Sequence, residues 1–250
     1  MTDDLTTAAA GFPEPYRLLV RATAASTNDE LRALAEGGAG EGLVLLALNQ
    51  TAGRGRRGAA WFSSPGESLA FSSLLRPDEP KALWPRLALA TGLAVAEAVE
   101  CFGPAAGVKW PNDVWIGHRK VAGILVEAGS DYVIAGIGIN VNSSIFPDEI
   151  ATIATSLLLE TSVETPRGEV LAAIVRGFAR HCRSIGYGFD ELLGGVRQRC
   201  VLSGRRVSLT DSKGPRTGVV EGIAPGGELL LRTDAGVERL IQADEVRILT

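Results

Sequence analysis

The sequence predicts an α+β fold, on three observations. Apolar runs of strand length alternate with helical patterns from Tyr16 to about Cys200, and from Ser203 onward only short strand candidates follow. The chain has 250 residues, 46% of them hydrophobic, enough to bury one large domain or one large and one small. This reading divides it into an N-terminal arm (residues 1–15), a large domain (16–200) and a small C-terminal β-barrel (201–250).

Bulk composition excludes several classes. A formal net charge of −4 provides no basic face for nonspecific nucleic-acid binding. Cys101, Cys182 and Cys200 are odd in number and widely spaced, with only His118 and His181 beside them, which argues against a disulfide scaffold and a structural zinc site. Met1-Thr2-Asp3-Asp4 lacks the basic start of a signal peptide, and no apolar stretch reaches spanning length, so the cytoplasm is the expected compartment.

Residues 1–15 are small and polar with Pro13 and Pro15, and are expected to form a flexible arm. A short strand (16–21) leads to Ser26-Thr27-Asn28-Asp29-Glu30, where Thr27 and Glu30, like Ser26 and Asp29, have capping-box spacing. A helix over 28–36 follows, stopped by Gly37 and Gly38. Ser26, Thr27 and Asn28 can serve as caps alone, or can also read a small polar ligand at the helix N-terminus; both readings stand.

An apolar strand (43–48) precedes Asn49, Gln50 and the loop Gly53-Arg54-Gly55-Arg56-Arg57-Gly58. Glycines let backbone N–H groups approach an anion, and guanidinium forks match phosphate or carboxylate oxygens, so the loop reads as a movable anion cradle. It matches Gly-x-Gly-x-x-Gly, but a dinucleotide site needs a helix to open from the loop, and residues 67–75 read as a strand. No Val-Ala-Ile-Lys, His-Arg-Asp or Asp-Phe-Gly string supports a kinase. A solvated basic loop is the plain alternative.

Residues 84–101 form an almost wholly apolar helix, a brace for the sheet. Pro111 interrupts what would otherwise be one strand over 108–115 and can aim Asn112 and Asp113 into a cleft. A turn at Gly117 brings Lys120, in the strand 120–127, back alongside them; a satisfied surface turn is the alternative. Within the strand 132–141, Gly136 and Gly138 predict close packing or a ligand near the backbone. Helical patterns cover 167–185 and 190–200, and the final strand candidates are 205–210, 216–222, 228–232, 237–242 and 246–249.

Taken together, Ser26-Thr27-Asn28, Gln50 with the arginine loop, Lys109-Trp110-Pro111-Asn112-Asp113, Lys120-Val121-Ala122-Gly123-Ile124-Leu125 and Gly138-Ile139-Asn140 resemble the biotin protein ligases in order and spacing. The resemblance covers about residues 16–250. It is to the form without an N-terminal DNA-binding domain, since the roughly 25 residues before Ser26 are too few for a helix-turn-helix unit. It implies a class II synthetase-like catalytic domain, a mixed β-sheet with helices largely on one face, ahead of the small barrel. It also implies an ATP-dependent ligase: biotin and ATP, with magnesium, give biotinyl-5′-adenylate, and the biotinyl group passes to a lysine of a biotin carboxyl carrier protein domain of a biotin-dependent carboxylase. No DNA or membrane partner is implied.

By the same resemblance, Ser26, Thr27, Asn28, Gln50, Arg54, Gly55, Arg56 and Lys120 would surround biotin. Gly53, Arg56, Arg57, Gly58, Lys109, Asn112 and Asn140 would hold ATP or the adenylate, Asn140 also the metal. Lys120, Arg56 and Asp113 would be catalytic, Lys120 on the developing charge and Asp113 nearest the acceptor lysine. Ala59 and Ala60 depart from the further basic residues that often continue the family's loop. Lipoate or octanoate transfer enzymes are similar in fold but need an apolar tunnel, and the arginine loop with Gln50 favours biotin. A non-catalytic biotin sensor is disfavoured by the presence of both Lys120 and Asp113.

Overall fold

Alternating burial in the strands sorts their side chains between two unequal layers of helix. The computed structural model describes residues 3–211 and 214–249. Helix α1 (Asp3–Ala9) precedes β1 (Arg17–Ala24), α2 (Thr27–Glu36), β2 (Leu43–Gln50) and β3 (Ser68–Leu75). Helix α3 (Arg86–Glu100) leads to β4 (Ala106–Lys109), β5 (Asp113–Ile116), β6 (Arg119–Ala128) and β7 (Val133–Asn140). Then come α4 (Leu157–Thr161), α5 (Arg167–His181) and α6 (Phe189–Arg199). The chain ends with β8 (Arg206–Asp211), β9 (Gly214–Ile223), β10 (Leu229–Thr233), β11 (Gly236–Leu240) and β12 (Glu245–Ile248).

The first sheet has the order β1-β2-β3-β7-β6-β5-β4, with β1 and β2 parallel and the other neighbours antiparallel. In β2, Val44 and Leu46 enter the core shared with α3, α5 and α6, whereas Leu43 and Leu45 meet Leu31 and Ala35 of α2 on the opposite face. In β7, Val133, Ala135, Ile137 and Ile139 join the large core, which turns Ile134, Gly136 and Gly138 toward the α2 side. Helices therefore lie largely on one face, as expected. Helices α3 and α5 approach so closely that a Cβ on Gly177 would stand 3.2 Å from Ala94 Cβ, and a larger residue there would cost about 1–3 kcal/mol.

Three expectations are corrected. The N-terminal arm is docked rather than flexible: Leu5 of α1 is fully buried, and Asp4 Oδ2 accepts from Gly168 N at 3.3 Å at the start of α5. A seven-residue helix is marginal alone in water, so this packing is what holds it. Met1 and Thr2 of the expected arm lie outside the described residues.

The C-terminal strands do not close into a barrel. They form an antiparallel sheet in the order β11-β10-β9-β8-β12, with β11 and β12 at opposite edges and, among the described residues, no ladder between them. The connecting residues 241–244 run instead to the large cavity described below, which Asp244 lines. Val207, Leu209, Leu229 and Leu231 share one apolar cluster with α3, and Trp110 Nε1 donates to Gly227 O at 3.1 Å, so the two sheets have a continuous core.

Pro111 marks a full reversal, not an interrupted strand. Lys109 pairs with Asp113 across the antiparallel β4–β5 ladder, and the chain turns over Trp110-Pro111-Asn112. Among the described residues no helix is long and apolar enough to cross a membrane.

Candidate active site

Helix α2 starts from Ser26, whose extended backbone (φ −147°) and Oγ, 3.5 Å from Asp29 N, make it the N-cap. Capping does not account for the next two residues. Thr27 and Asn28 are buried, and their side chains run into the sheet. Thr27 N and Oγ1 donate to Gln50 Oε1 at 2.9 and 3.2 Å, and Asn28 Nδ2 donates to Leu125 O (3.2 Å) and Glu127 Oε2 (2.7 Å).

Ser72 Oγ lies 2.6 Å from Asn28 Oδ1 and 2.7 Å from Thr27 Oγ1. A hydroxyl has one proton, and Asn28 Oδ1 can only accept, so Ser72 is committed to Asn28. The close seat of Asn28 requires Gly136, where a Cβ would come within 2.9 Å of Asn28 Cγ.

This polar wall lines a cavity of about 680 Å³ together with the arginine loop, Asn112, Asp113, Lys120, Gly123, Gly138, Asp244 and Glu245. The loop is a hairpin: Trp61 N donates to Gly53 O at 2.9 Å and Gly55 N to Ala59 O at 2.6 Å. Its tip turns through left-handed backbone at Arg57 (φ 56°) and Gly58 (φ 76°). For a non-glycine residue that conformation costs of order 1–3 kcal/mol, which the surroundings must offset.

The three arginines go to different parts of the fold. Arg54 pairs with Asp29 of α2 (2.5 Å) and Glu127 of β6 (3.2 Å); burial works against its charged form, but these carboxylates outweigh it and raise its pKa. Arg57 pairs with Asp244 ahead of β12. Arg56 is half-buried, and Nη1 donates to Asn112 Oδ1 at 3.4 Å. It is the cation lining the cavity that, among the described residues, has no carboxylate at ion-pair distance. Burial, reinforced by Arg57, pulls its pKa below the usual arginine value. An arriving anion would relieve that cost.

Lys120 reaches the cavity because of a bulge. Val114 pairs with Ala122 but Trp115 pairs with Lys120, so Val121 is an extra residue in β6. The extra residue puts Lys120 on the same face as Gly123, where a Cβ would come within 3.1 Å of Nζ, while Val121 is buried in the core. Lys120 Nζ forms an ion pair with Asp113 Oδ1 at 2.7 Å and sits 5.5 Å from the centroid of the Trp61 ring. The Trp61 indole lies across Gly138 and Gly123, with Nε1 buried and without a hydrogen-bond partner among the described residues.

Twelve of the expected residues thus line one cavity: Ser26, Thr27, Asn28, Gln50, Arg54, Gly55, Arg56, Arg57, Gly58, Asn112, Asp113 and Lys120. Gly53, Lys109 and Asn140 do not line it. A Cβ on Gly53 would stand 2.6 Å from Gln50 Nε2, so this glycine serves packing beneath the wall. Lys109 stacks over Trp115 at 4.4 Å, and burial depresses its pKa although Asp113 opposes this. Asn140 is buried and donates to Thr155 O at 2.9 Å, a bond that ties the end of β7 to the segment before α4. Among the described residues no group of three His, Cys, Asp or Glu is placed to hold a metal ion.

Sequence reasoning missed Trp61, Ser72, Glu127, Asp244 and Glu245. The parity of Gly123, Leu125 and Glu127 along β6 could have signalled Glu127, and a serine pair inside an apolar strand could have signalled Ser72. Along β6 and β7 the order is Asn28 at Gly136, Trp61 over Gly138 and Gly123, then Lys120, a run of about 13 Å at strand rise. Hydrogen-bonding groups, backed by the charge-balanced cluster of Arg54, Glu127 and Asp29, stand at one end and Lys120 with Asp113 at the other. That arrangement suits an elongated ligand with an uncharged polar head and an anionic tail.

Comparison with known proteins agrees with this chemistry. The Biotin/lipoate A/B protein ligase family matches residues 21–143, and the Biotin protein ligase C terminal domain matches residues 202–246. The chain is 35% identical over 236 residues to the bifunctional ligase/repressor BirA of Bacillus spizizenii, covering 91% of this chain and 73% of that protein. It is 36% identical over 214 residues to a biotin–[acetyl-CoA-carboxylase] ligase of Mycobacterium tuberculosis, covering 83% and 78%. The biotin protein ligase from Aquifex aeolicus in complex with biotin and ATP matches it with a TM-score of 0.84 and 34% identity, over 93% of this chain and 99% of that one. On its sequence, fold and site, the chain belongs to the biotin protein ligase family.

Proposed function

We propose that the chain activates biotin with ATP as biotinyl-5′-adenylate and transfers the biotinyl group to a lysine of a biotin carboxyl carrier domain. The observation that carries this is the polarity of the cavity: a hydrogen-bonding wall at Asn28, and at the other end Lys120 with Asp113, beside the unpaired guanidinium of Arg56. The ureido ring lies against Ser26, Thr27, Asn28 and Gln50. The valeryl tail runs past Trp61 and brings its carboxylate to Lys120.

In the first step the carboxylate oxygen bonds to the α-phosphorus of ATP and the bond to pyrophosphate breaks. Two anions must approach each other, and Lys120 and Arg56 lower that repulsion where charge develops. A magnesium ion bound with the triphosphate would neutralise part of its charge. Because such ions are usually held by phosphates with only one or two carboxylates, Glu245 at the cavity wall, whose ion-pair partner Arg247 is exposed, would be the group to hold it, while Asp244 stays with Arg57. In the second step the acceptor lysine nitrogen bonds to the acyl carbon, AMP leaves, and Asp113 takes the ammonium proton. The arginine hairpin shields the mixed anhydride from water between the two steps.

The carrier belongs to a biotin-dependent carboxylase. We place the reaction in the cytoplasm, in keeping with three free cysteines. The test is mass spectrometry of a carrier domain incubated with the protein, ATP, magnesium and equal biotin and lipoate. A biotin-sized gain on the carrier lysine, lost in Lys120→Ala, is expected. A lipoate-sized gain, or none, overturns the reading.

A further inference from the structure

Glu127, near the end of β6, is the most heavily engaged carboxylate near the cavity, and the reaction makes no use of it. Its Oε2 accepts from Asn28 Nδ2 at 2.7 Å and pairs with Arg54 Nη2 at 3.2 Å. Its Oε1 pairs with Arg32 Nη2 at 3.1 Å and accepts from Arg54 Nη1 at 3.4 Å. Asp29 Oδ1 closes the cluster, 2.5 Å from Arg54 Nη2 and 3.2 Å from Arg32 Nη1. Two carboxylates and two guanidinium groups thus balance, with Asn28 at the inner edge and the first arginine of the hairpin at the outer edge.

The two ends of the Asn28 carboxamide differ chemically, and Glu127, the nearer of two acceptors beside Leu125 O, helps to fix which way they face. A carboxylate can only accept, so it demands Nδ2, while Ser72 supplies a proton to Oδ1 from the other side. Without the Glu127 charge, Nδ2 keeps Leu125 O at 3.2 Å but loses its charge-assisted acceptor, Arg54 keeps only Asp29 as an ion-pair partner, and an amide in its place could turn a donor instead of an acceptor toward Nδ2. One side chain therefore sets both the ring-reading wall and the base of the hairpin that faces it.

We propose that Glu127 is a positioning residue for the biotin end of the site, acting through Asn28 and Arg54 on ligand affinity and not on the chemical step. This rests on the biotin ligase reading above. Glu127→Gln keeps the size and removes the charge. In biotin-dependent exchange of pyrophosphate into ATP it should raise KM for biotin about tenfold or more, with kcat within about threefold and KM for ATP unchanged. Asn28→Ala should raise KM for biotin by itself, and adding Glu127→Gln to it should cost less than the product of the two effects, because they share one interaction.

An unchanged KM for biotin in Glu127→Gln, or a fall in kcat at constant KM, overturns the proposal. If the unaltered chain exchanges no pyrophosphate with biotin, the ligase reading falls and takes the proposal with it. If it exchanges normally and Glu127→Gln matches it, the proposal alone falls.

Discussion

Gly138→Ala tests the floor of the cavity through a single methyl group. The added Cβ would come within 2.6 Å of Trp61 Cζ2 and nearer still to Cε2 and Nε1. Ordinary carbon contacts lie at roughly 3.5 Å, so the indole must retreat by about 1 Å or more. The strand cannot yield instead, because Gly138 is paired with Ala70 on one side and Gly123 on the other. The ring therefore moves into the space that the ligand tail needs. If the tail must press the displaced indole back into that packed site, the work is of the same order as overpacking, about 1–3 kcal/mol, and biotin affinity falls roughly 5- to 150-fold. Titration calorimetry with biotin measures it, and a thermal melt of the same sample checks that the protein is folded. A folded variant that binds biotin as tightly as the parent would refute the placement of the tail across Gly138.

Three other outcomes follow from the charges. Arg56→Ala removes the unpaired cation, and since hydrogen bonds to charged groups contribute about 1.5–3 kcal/mol, labelled biotinyl-adenylate should escape roughly 10- to 150-fold faster in a chase; an unchanged rate contradicts the holding role. Asp244→Asn frees Arg57, and because an exposed pair is worth about 0.2–1 kcal/mol, KM for ATP should rise by at most about fivefold and lose salt dependence; identical salt profiles in steady-state kinetics would count against the tie. Glu97, on α3, is held below its ordinary value of 4.5: burial alone would raise it, and His181 and Arg180 outweigh burial. A carboxylate depressed in this way contributes its full stability above the unfolded pKa and loses it as pH falls through the folded one, so Glu97→Gln should flatten the melting temperature below about pH 4.5, and parallel acid limbs would refute it.

Most of the site was legible because its residues cluster in chain order. Ser26 to Asn28, the loop from Gly53 to Gly58, and Asn112 to Lys120 each advertise themselves by local chemistry. What was not legible depends on tertiary placement. Nothing local tells that Asp244, near the far end of the chain, closes on Arg57, or that Trp61 fills the space above two glycines. Asn140 and Lys109 carry polar groups in suggestive strings, yet a backbone carbonyl and an aromatic face take them up. The arm misled for a similar reason: small polar residues hid a single leucine whose burial decides where α1 sits. The open C-terminal sheet could not be distinguished from a barrel, because strand count says nothing about whether the two edge strands meet.

The extra residue in β6 fixes the length of that strand more tightly than its composition. Alternation has only two phases, and a deletion at Val121 would exchange them without breaking a single hydrophobic run. Lys120 would then face the apolar layer under α3, and Asp113 would stand without its partner. Many side chains could replace Val121 at modest cost, but no shorter strand could keep the lysine in reach, so change at this position should proceed by exchange of residues and not by loss.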